Sequence, residues 1–247
     1  MARPVSIVTV NFDSLFYIRL LVEKTREFIG SRGYEIVVVD RGSRDGSREW
    51  LSEQPDVRLI LKRQWRQSRH SHGQAAEAGV QAAAHEVIVL LDSDAHPVDE
   101  SWLELTVDKL DEKCRLAGAQ FHTTRRDNPH GWYIHPHFMT FFKADLGTHI
   151  TLRKTRGRDT DTAEDSTVRL LDSGFGVSAY PTEFLQRFSV GHPTLPTVSA
   201  GVFHAWYSTR LVKNSGEVHQ ETAAGITQES YAQPLRKLLR QLYGLRY

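Results

Sequence analysis

Val87-Ile88-Val89-Leu90-Leu91-Asp92-Ser93-Asp94 sets five branched apolar residues directly against two carboxylates. A short unbroken apolar run of this kind reads as a strand buried on both faces, and the aspartates mark where the chain leaves the core. The same pattern recurs toward the N-terminus. Val5-Ser6-Ile7-Val8-Thr9-Val10 runs into Asn11-Phe12-Asp13, and Glu35-Ile36-Val37-Val38-Val39 runs into Asp40-Arg41-Gly42-Ser43-Arg44-Asp45-Gly46. Val57 to Leu61 is a further strand of this type. Between the strands the apolar spacing becomes helical. Tyr17, Ile18, Leu21, Val22, Phe28 and Ile29 follow a cap at Asp13 or Ser14, and Gly30 stops them. A short helix reaches Gln54, an Ala-rich one spans Gly73 to Ala84, and another covers Glu100 to Leu110. Strand and helix in alternation predict an α/β fold, a mostly parallel central sheet flanked by helices.

The second half is less regular. Leu116 to His122 and Phe138 to Phe142 read as strands. A polar stretch, basic at Arg153, Lys154, Arg156 and Arg158 and acidic at Asp159, Asp161, Glu164 and Asp165, leads into a helix through Val168, Leu170 and Leu171 that Gly174 ends. Near the C-terminus Leu235, Leu238, Leu239, Leu242 and Tyr243 make one apolar helix face opposite Arg236, Lys237 and Arg240. The organisation expected is a single domain over 1–247, with a regular half to about 112, a less regular half over about 113–210 and an amphipathic helix over about 232–245.

Composition narrows the function classes. The 247 residues carry 31 basic and 30 acidic side chains, a formal charge of +1, which speaks against a polyanion-binding protein and against nucleic acid as a partner. A 40% hydrophobic and 25% charged chain is of ordinary globular composition. The single cysteine, Cys114, cannot form an internal disulfide, and no apolar run is long enough to span a bilayer, so a cytoplasmic setting is expected.

In open parallel sheets ligands bind beyond the carboxyl ends of the strands, at the point where strand order reverses. Three strand ends here are polar, and Asp92-Ser93-Asp94 is the sharpest of them. Paired carboxylates suit a hard divalent cation, Mg²⁺ or Mn²⁺, that also touches substrate phosphates. No G-x-G-x-x-G follows the first strand and no P-loop is present, so a dinucleotide or P-loop site is excluded. What remains is a nucleotide site built from acidic strand ends and a metal.

In motif order and spacing, Val5 to Phe12, Val37 to Ser47 and Asp92 to Asp94 resemble the inverting GT-A glycosyltransferases of family 2. The likeness is strongest over 4–110. It implies the GT-A fold, a nucleotide-diphosphate sugar donor, Mn²⁺ or Mg²⁺ on the D-x-D, and transfer to a hydroxyl of a carbohydrate or lipid-linked acceptor. It also implies that the half to about 112 binds the nucleotide and that the half over about 113–210 faces the acceptor. By the match, Asn11 and Phe12 would line the nucleobase and ribose pocket, with Asp40 and Ser43 beside them. Asp92 would lie near the ribose, followed by Ser93, and Asp94 would hold the metal on the diphosphate. His72-Gly73-Gln74-Ala75-Ala76-Glu77-Ala78-Gly79 is similar to the family's N-x-G-x-x-x-A-x-N-x-G turn and helix, with His72 and Glu77 departing from it. The cluster Lys62, Arg63, Arg66, Arg69 and His70 would face the diphosphate or solvent.

Inverting transfer requires a carboxylate to take the acceptor proton. The family's Glu-Asp pair is matched by Glu164-Asp165. Alignment on Gly174 instead points to Asp161-Thr162-Ala163. Asp161 and Asp165 therefore stand level as candidate bases, with Glu164 behind them. His204, in Ala200-Gly201-Val202-Phe203-His204-Ala205-Trp206, fits the late histidine by which such enzymes complete the metal shell with Asp92 and Asp94. His130, His135 and His137 lack zinc-site spacing and read as satisfied surface or core residues. Trp132, Tyr133 and Trp206 are candidates to stack on a sugar. The competing classes are a nucleotidyltransferase and a non-catalytic GT-A-like nucleotide-sugar-binding module. The C-terminal helix either packs on the domain, docks peripherally on the inner face of a membrane, or forms a homodimer contact.

Overall fold

The structure, a computed structural model, describes residues 2–62, 71–153, 163–184 and 197–205. Asp161, the cluster from Arg63 to His70, Trp206 and the helix expected over 232–245 lie outside them. In chain order the elements are β1 (Val5–Asn11), α1 (Leu15–Phe28), β2 (Tyr34–Asp40), α2 (Ser47–Ser52), β3 (Val57–Leu61), α3 (Ser71–Ala82), β4 (Val87–Asp92), β5 (Ala95–Pro97), β6 (Cys114–His122), β7 (Trp132–Phe142), α4 (Glu164–Asp172), β8 (Gly176–Tyr180), β9 (Glu183–Phe184), β10 (Thr197–Ser199) and β11 (Val202–His204).

A seven-stranded sheet takes the order β3-β2-β1-β4-β7-β6-β8. Its first four strands are parallel, β7 runs antiparallel to β4 and to β6, and β8 is parallel to β6. Because β2 and β3 extend to one side of β1 and β4 to the other, strand order reverses between β1 and β4. That opens a crevice at their carboxyl ends. A second sheet, β5-β11-β10-β9, is antiparallel and follows directly from the end of β4.

Residue alternation along the strands divides the core between the two faces of the large sheet. Val5, Ile7, Ile36, Val38, Val87 and Val89 pack on Ile18, Leu21 and Val22 of α1 and on Trp102 and Val107. Val8, Val10, Val37, Val39, Ile88 and Leu90 pack on Ala75, Ala76 and Val80 of α3 and Leu170 of α4. The small residues of α3 have a steric cause: a Cβ on Gly79 would lie 2.6 Å from Val8 Cγ1 and 3.0 Å from Val39 Cγ2. Only a helix bare at that position lies this close to the strands.

The helix expected over Glu100 to Leu110 is not continuous; the segment forms 3₁₀ turns at Glu100–Trp102 and Val107–Lys109. The Thr106 hydroxyl donates to the Trp102 carbonyl at 2.7 Å, while the Thr106 N–H turns to the Leu103 carbonyl. A side chain has taken the acceptor that an α-helix needs for its backbone.

Candidate active site

Asn11 and Asp40 face each other at the ends of β1 and β2. Asn11 Nδ2 donates to Asp40 Oδ2 at 2.8 Å, to Ser47 Oγ at 2.8 Å and to Ser43 Oγ at 3.1 Å. Asp40 Oδ1 accepts from the N–H groups of Gly42 (2.8 Å) and Ser43 (3.0 Å), and Ser43 Oγ accepts from the Asp13 N–H at 2.9 Å. Asn11 and Asp40 are wholly buried and Ser43 nearly so. The three side chains expected beside the base and ribose are thus bonded to one another and to the loop after β2. A buried carboxylate must be saturated with hydrogen bonds, and here the saturation comes from the neighbouring loop. Asn11, Asp40 and Ser43 thus shape the loop that ends in α2, while Phe12 and Arg41 stand further out. The Arg41 guanidinium lies over the Phe12 ring at 5.7 Å, and burial draws its pKa below the usual arginine value.

The metal candidates arrive from two sheets. Asp92 ends β4, and Asp94 lies in the turn into β5. β5 pairs with β11, with Ala95 opposite His204, and the Ala205 N–H donates to the Asp94 carbonyl at 3.0 Å. β10 and β11 are joined through Ala200 and Gly201, both at positive φ (45° and 73°), which turns the hairpin tightly enough to return the chain beside Asp94. His204 Nε2 consequently lies 3.3 Å from Asp94 Oδ1 and 3.9 Å from Asp92 Oδ2. One donor atom from each of Asp92, Asp94 and His204 falls within 4.8 Å of the others. Two carboxylates and an imidazole at this spacing are a donor set for a divalent cation such as Mn²⁺. Ser93 lies between the two aspartates.

Further histidines surround Asp92. His72 Nε2, in the first turn of α3, is 3.5 Å from Asp92 Oδ1. β7 brings His135 and His137 to the same place, and the His137 ring stacks on His204 with centroids 4.2 Å apart and planes 6° from parallel. Burial pushes the Asp92 carboxyl up, but His72, then His204 and His135, more than offset it and hold the group well below the usual range. Burial, with His204 and His135 adding to it, holds His137 well below the usual histidine value. His137 is a core residue, as expected, and with His135 it packs beside the Asp92, Asp94 and His204 cluster, a neighbourhood that the sequence reading did not anticipate. Their i, i+2 spacing on a strand, which puts both on one face, was the available signal. His130 is elsewhere, 3.8 Å from Asp172.

Gly73 does not present an open edge. A Cβ there would meet the Leu152 carbonyl oxygen at 1.9 Å, so this glycine lets the backbone at Leu152 and Arg153 cross the start of α3. Arg153 Nε then reaches Glu77 Oε2 at 2.5 Å.

On the acceptor side, α4 begins at Glu164 after Ala163, which is held at φ 65°. Glu164 is buried and its Oε2 lies 2.6 Å from Arg125 Nη1. Arg125 also grips Asp127 through Nε (2.9 Å) and Nη2 (2.6 Å) and lies 3.8 Å from Asp165. With its carboxylate in that pair, Glu164 serves as an anchor for the start of α4. Asp165 is more open. The Ile134 N–H donates to Thr167 Oγ1 at 2.9 Å and joins α4 to β7 just before His135.

The sequence pattern described as glycosyl transferase family 2 matches residues 6–167. The chain belongs to this family. No curated protein matches the chain. Among solved structures it resembles the mannosyltransferase PcManGT from Pyrobaculum calidifontis, in complex with GDP-Man and Mn²⁺. The identity is 20%, the TM-score 0.56, and the match covers 73% of this chain and 55% of that one. Glucosyl-3-phosphoglycerate synthase from Mycobacterium tuberculosis, in complex with phosphoglyceric acid, matches at 15% identity and TM-score 0.52, covering 72% and 70%. TarS 1-349 from S. aureus matches at 16% and 0.51, covering 71% and 57%. These likenesses establish the fold. The chain spans little more than half the length of the mannosyltransferase and of TarS. Among the described residues no helix is long and apolar enough to cross a membrane.

Proposed function

We propose that this family-2 chain is a metal-dependent glycosyltransferase that moves a sugar from a nucleoside diphosphate to an acceptor hydroxyl with inversion. The observation that carries this reading is the Asp92, Asp94 and His204 cluster at the point where strand order reverses. The mannosyltransferase that it resembles was solved with GDP-Man and Mn²⁺, and the synthase with Mn²⁺, UDP and phosphoglyceric acid, which supports the donor class.

Asp94 and His204 would be the principal metal ligands, with Asp92 beside them toward the end of β4. A nitrogen donor favours Mn²⁺ over the harder Mg²⁺. Bound there, the cation supplies charge neutralisation for the diphosphate leaving group. Phe12 and Arg41 flank the nucleobase, and the network through Asn11, Asp40 and Ser43 holds their loop rigid so that binding needs no reordering of it.

A carboxylate at the start of α4 or in the segment before it takes the proton from the acceptor hydroxyl as its oxygen attacks the anomeric carbon. Glu164 is tied to Arg125, so Asp161 and Asp165 remain as bases. Trp132, at the start of β7, is the aromatic candidate to stack on a sugar. The acceptor is a carbohydrate or a lipid-linked sugar in cell-surface polysaccharide or glycolipid synthesis. That role suits peripheral contact with the inner face of a membrane through the apolar and basic residues over 232–245.

The test of the base compares Asp161→Asn with Asp165→Asn. The base variant keeps donor binding and loses turnover by two to four orders of magnitude, roughly the span of general-base catalysis. Full activity in both would remove the assignment.

A further inference from the structure

β7 runs antiparallel to β4 with Leu91 opposite Phe138, so His137 stands beside the end of β4, where Asp92 begins the acidic turn. His135 lies on the same face, two residues earlier. His204 comes to this place from the second sheet, and the His137–His204 stack is where rings carried by the two sheets meet face to face. Neither ring is free to turn into solvent, since His137 is completely buried and His204 nearly so.

Hydrogen bonds define the His137 ring further. The backbone N–H of His137 donates to His135 Nδ1 at 3.2 Å, so that nitrogen carries a lone pair. The His137 Nδ1 to His135 Nδ1 distance of 2.8 Å then requires the proton to sit on His137 Nδ1. His137 is thereby the Nδ1–H tautomer. Its Nε2 has no hydrogen-bond partner among the described residues, and the contact that it makes with the metal cluster is the ring face. Phe121 supports the other two rings, 4.7 Å from His135 and 5.5 Å from His137.

We infer that His137 is a positioning residue for His204: its imidazole plane, fixed by His135 and Phe121, sets the His204 ring so that Nε2 faces Asp94 and Asp92. The inference rests on the metal reading of that cluster. Asp94 Oδ1, 3.3 Å from His204 Nε2, meets the ring at one atom, and the stacked His137 ring sets its plane. Loss of a group that orients a metal ligand costs about 10–100-fold in metal affinity.

The test is Mn²⁺ binding to the full chain without nucleotide, read from the electron paramagnetic resonance of free Mn²⁺. His137→Ala should weaken binding by about 10–100-fold. His137→Phe, which keeps a flat ring in the same packing, should recover most of it. In a His204→Ala background, His137→Ala should cost nothing further. Unchanged affinity in His137→Ala overturns the inference. So does a His137→Phe variant as weak as His137→Ala, or a full further loss in the His204→Ala background. A readout that needs no substitution is the nitrogen-15 spectrum of the histidine rings: His137 should carry its proton on Nδ1, and a proton on Nε2 overturns the inference. If the unaltered chain binds no Mn²⁺, the metal reading itself fails; if it binds and His137→Ala binds equally, only the positioning role fails.

Discussion

Arg125 illustrates how single residues separate structure from chemistry at this site. Its guanidinium holds Glu164, which is 2% exposed, and is shared with Asp127 and, more distantly, Asp165. Removing one partner of a buried ion pair leaves the other charge without compensation, at about 3–5 kcal/mol. Arg125→Met should therefore lower unfolding free energy by about that amount in urea titrations, while an equal loss for Arg125→Lys would be unexpected, because Lys retains the charge. The residue types at the strand ends were legible in the sequence, but their partners were not. Asn11, Asp40 and Ser43 read as ligand contacts, and the sequence does not show that they also bond to one another, because buried networks and binding sites use the same polar residues. Only the positions of Gly42 and Ser43 around Asp40, and of Ser47 beside Asn11, reveal where the hydrogen bonds go. His135 and His137 escaped for the opposite reason: their alternation was visible, yet the strand neighbour that gives it meaning, the end of β4, lies some forty-five residues away in the chain.

Among the elements, α3 shows why a glycine matters to a site that it does not touch. Gly73 admits the backbone of Leu152 to the helix start, and Gly79 admits the helix to β1 and β2. Gly73→Ala forces a Cβ into the Leu152 carbonyl oxygen, so Leu152 and Arg153 must move off the helix. The expected cost is about 1–3 kcal/mol in stability, the range for overpacking, with faster proteolysis after Arg153 as the local signature. Strands β1 to β4 were recognisable to within a residue or so because a buried parallel strand leaves an unbroken apolar run. The helix over Glu100 to Leu110 was not, because its apolar spacing is helical while Thr106 diverts the carbonyl that would continue it. The β10–β11 hairpin was legible only as a strand-like run at its end. Its pairing with β5, which delivers His204 to Asp94, depends on a contact about a hundred residues apart.

For the whole molecule, the parallel half of the sheet and its crevice followed from alternation of strand and helix, whereas the insertion of β7 between β4 and β6 did not. Antiparallel addition to a parallel sheet leaves no local mark on the strand that joins. Stability of the whole should also respond to acid through a clamp remote from the crevice. Arg26 of α1 pairs with Asp56, which also accepts from the Tyr34 hydroxyl at 2.8 Å. The Arg26 hydrogen bond, assisted by Tyr34 and opposed by burial, holds the Asp56 carboxyl below the usual range. A carboxyl depressed in the folded state adds stability above its unfolded value, near 4, and loses it as pH falls through the folded value. Urea midpoints should therefore drop below about pH 4, and Asp56→Asn should be less stable at neutral pH and less acid-sensitive. The central claim concerns the Asp92–Asp94–His204 cluster, and calorimetric titration of GDP and UDP into the chain, with and without Mn²⁺, tests it most directly. The account predicts binding of at least one nucleotide that requires Mn²⁺ and disappears in a folded Asp94→Ala variant. Nucleotide binding indifferent to both Mn²⁺ and Asp94, or no binding of either nucleotide, would contradict it.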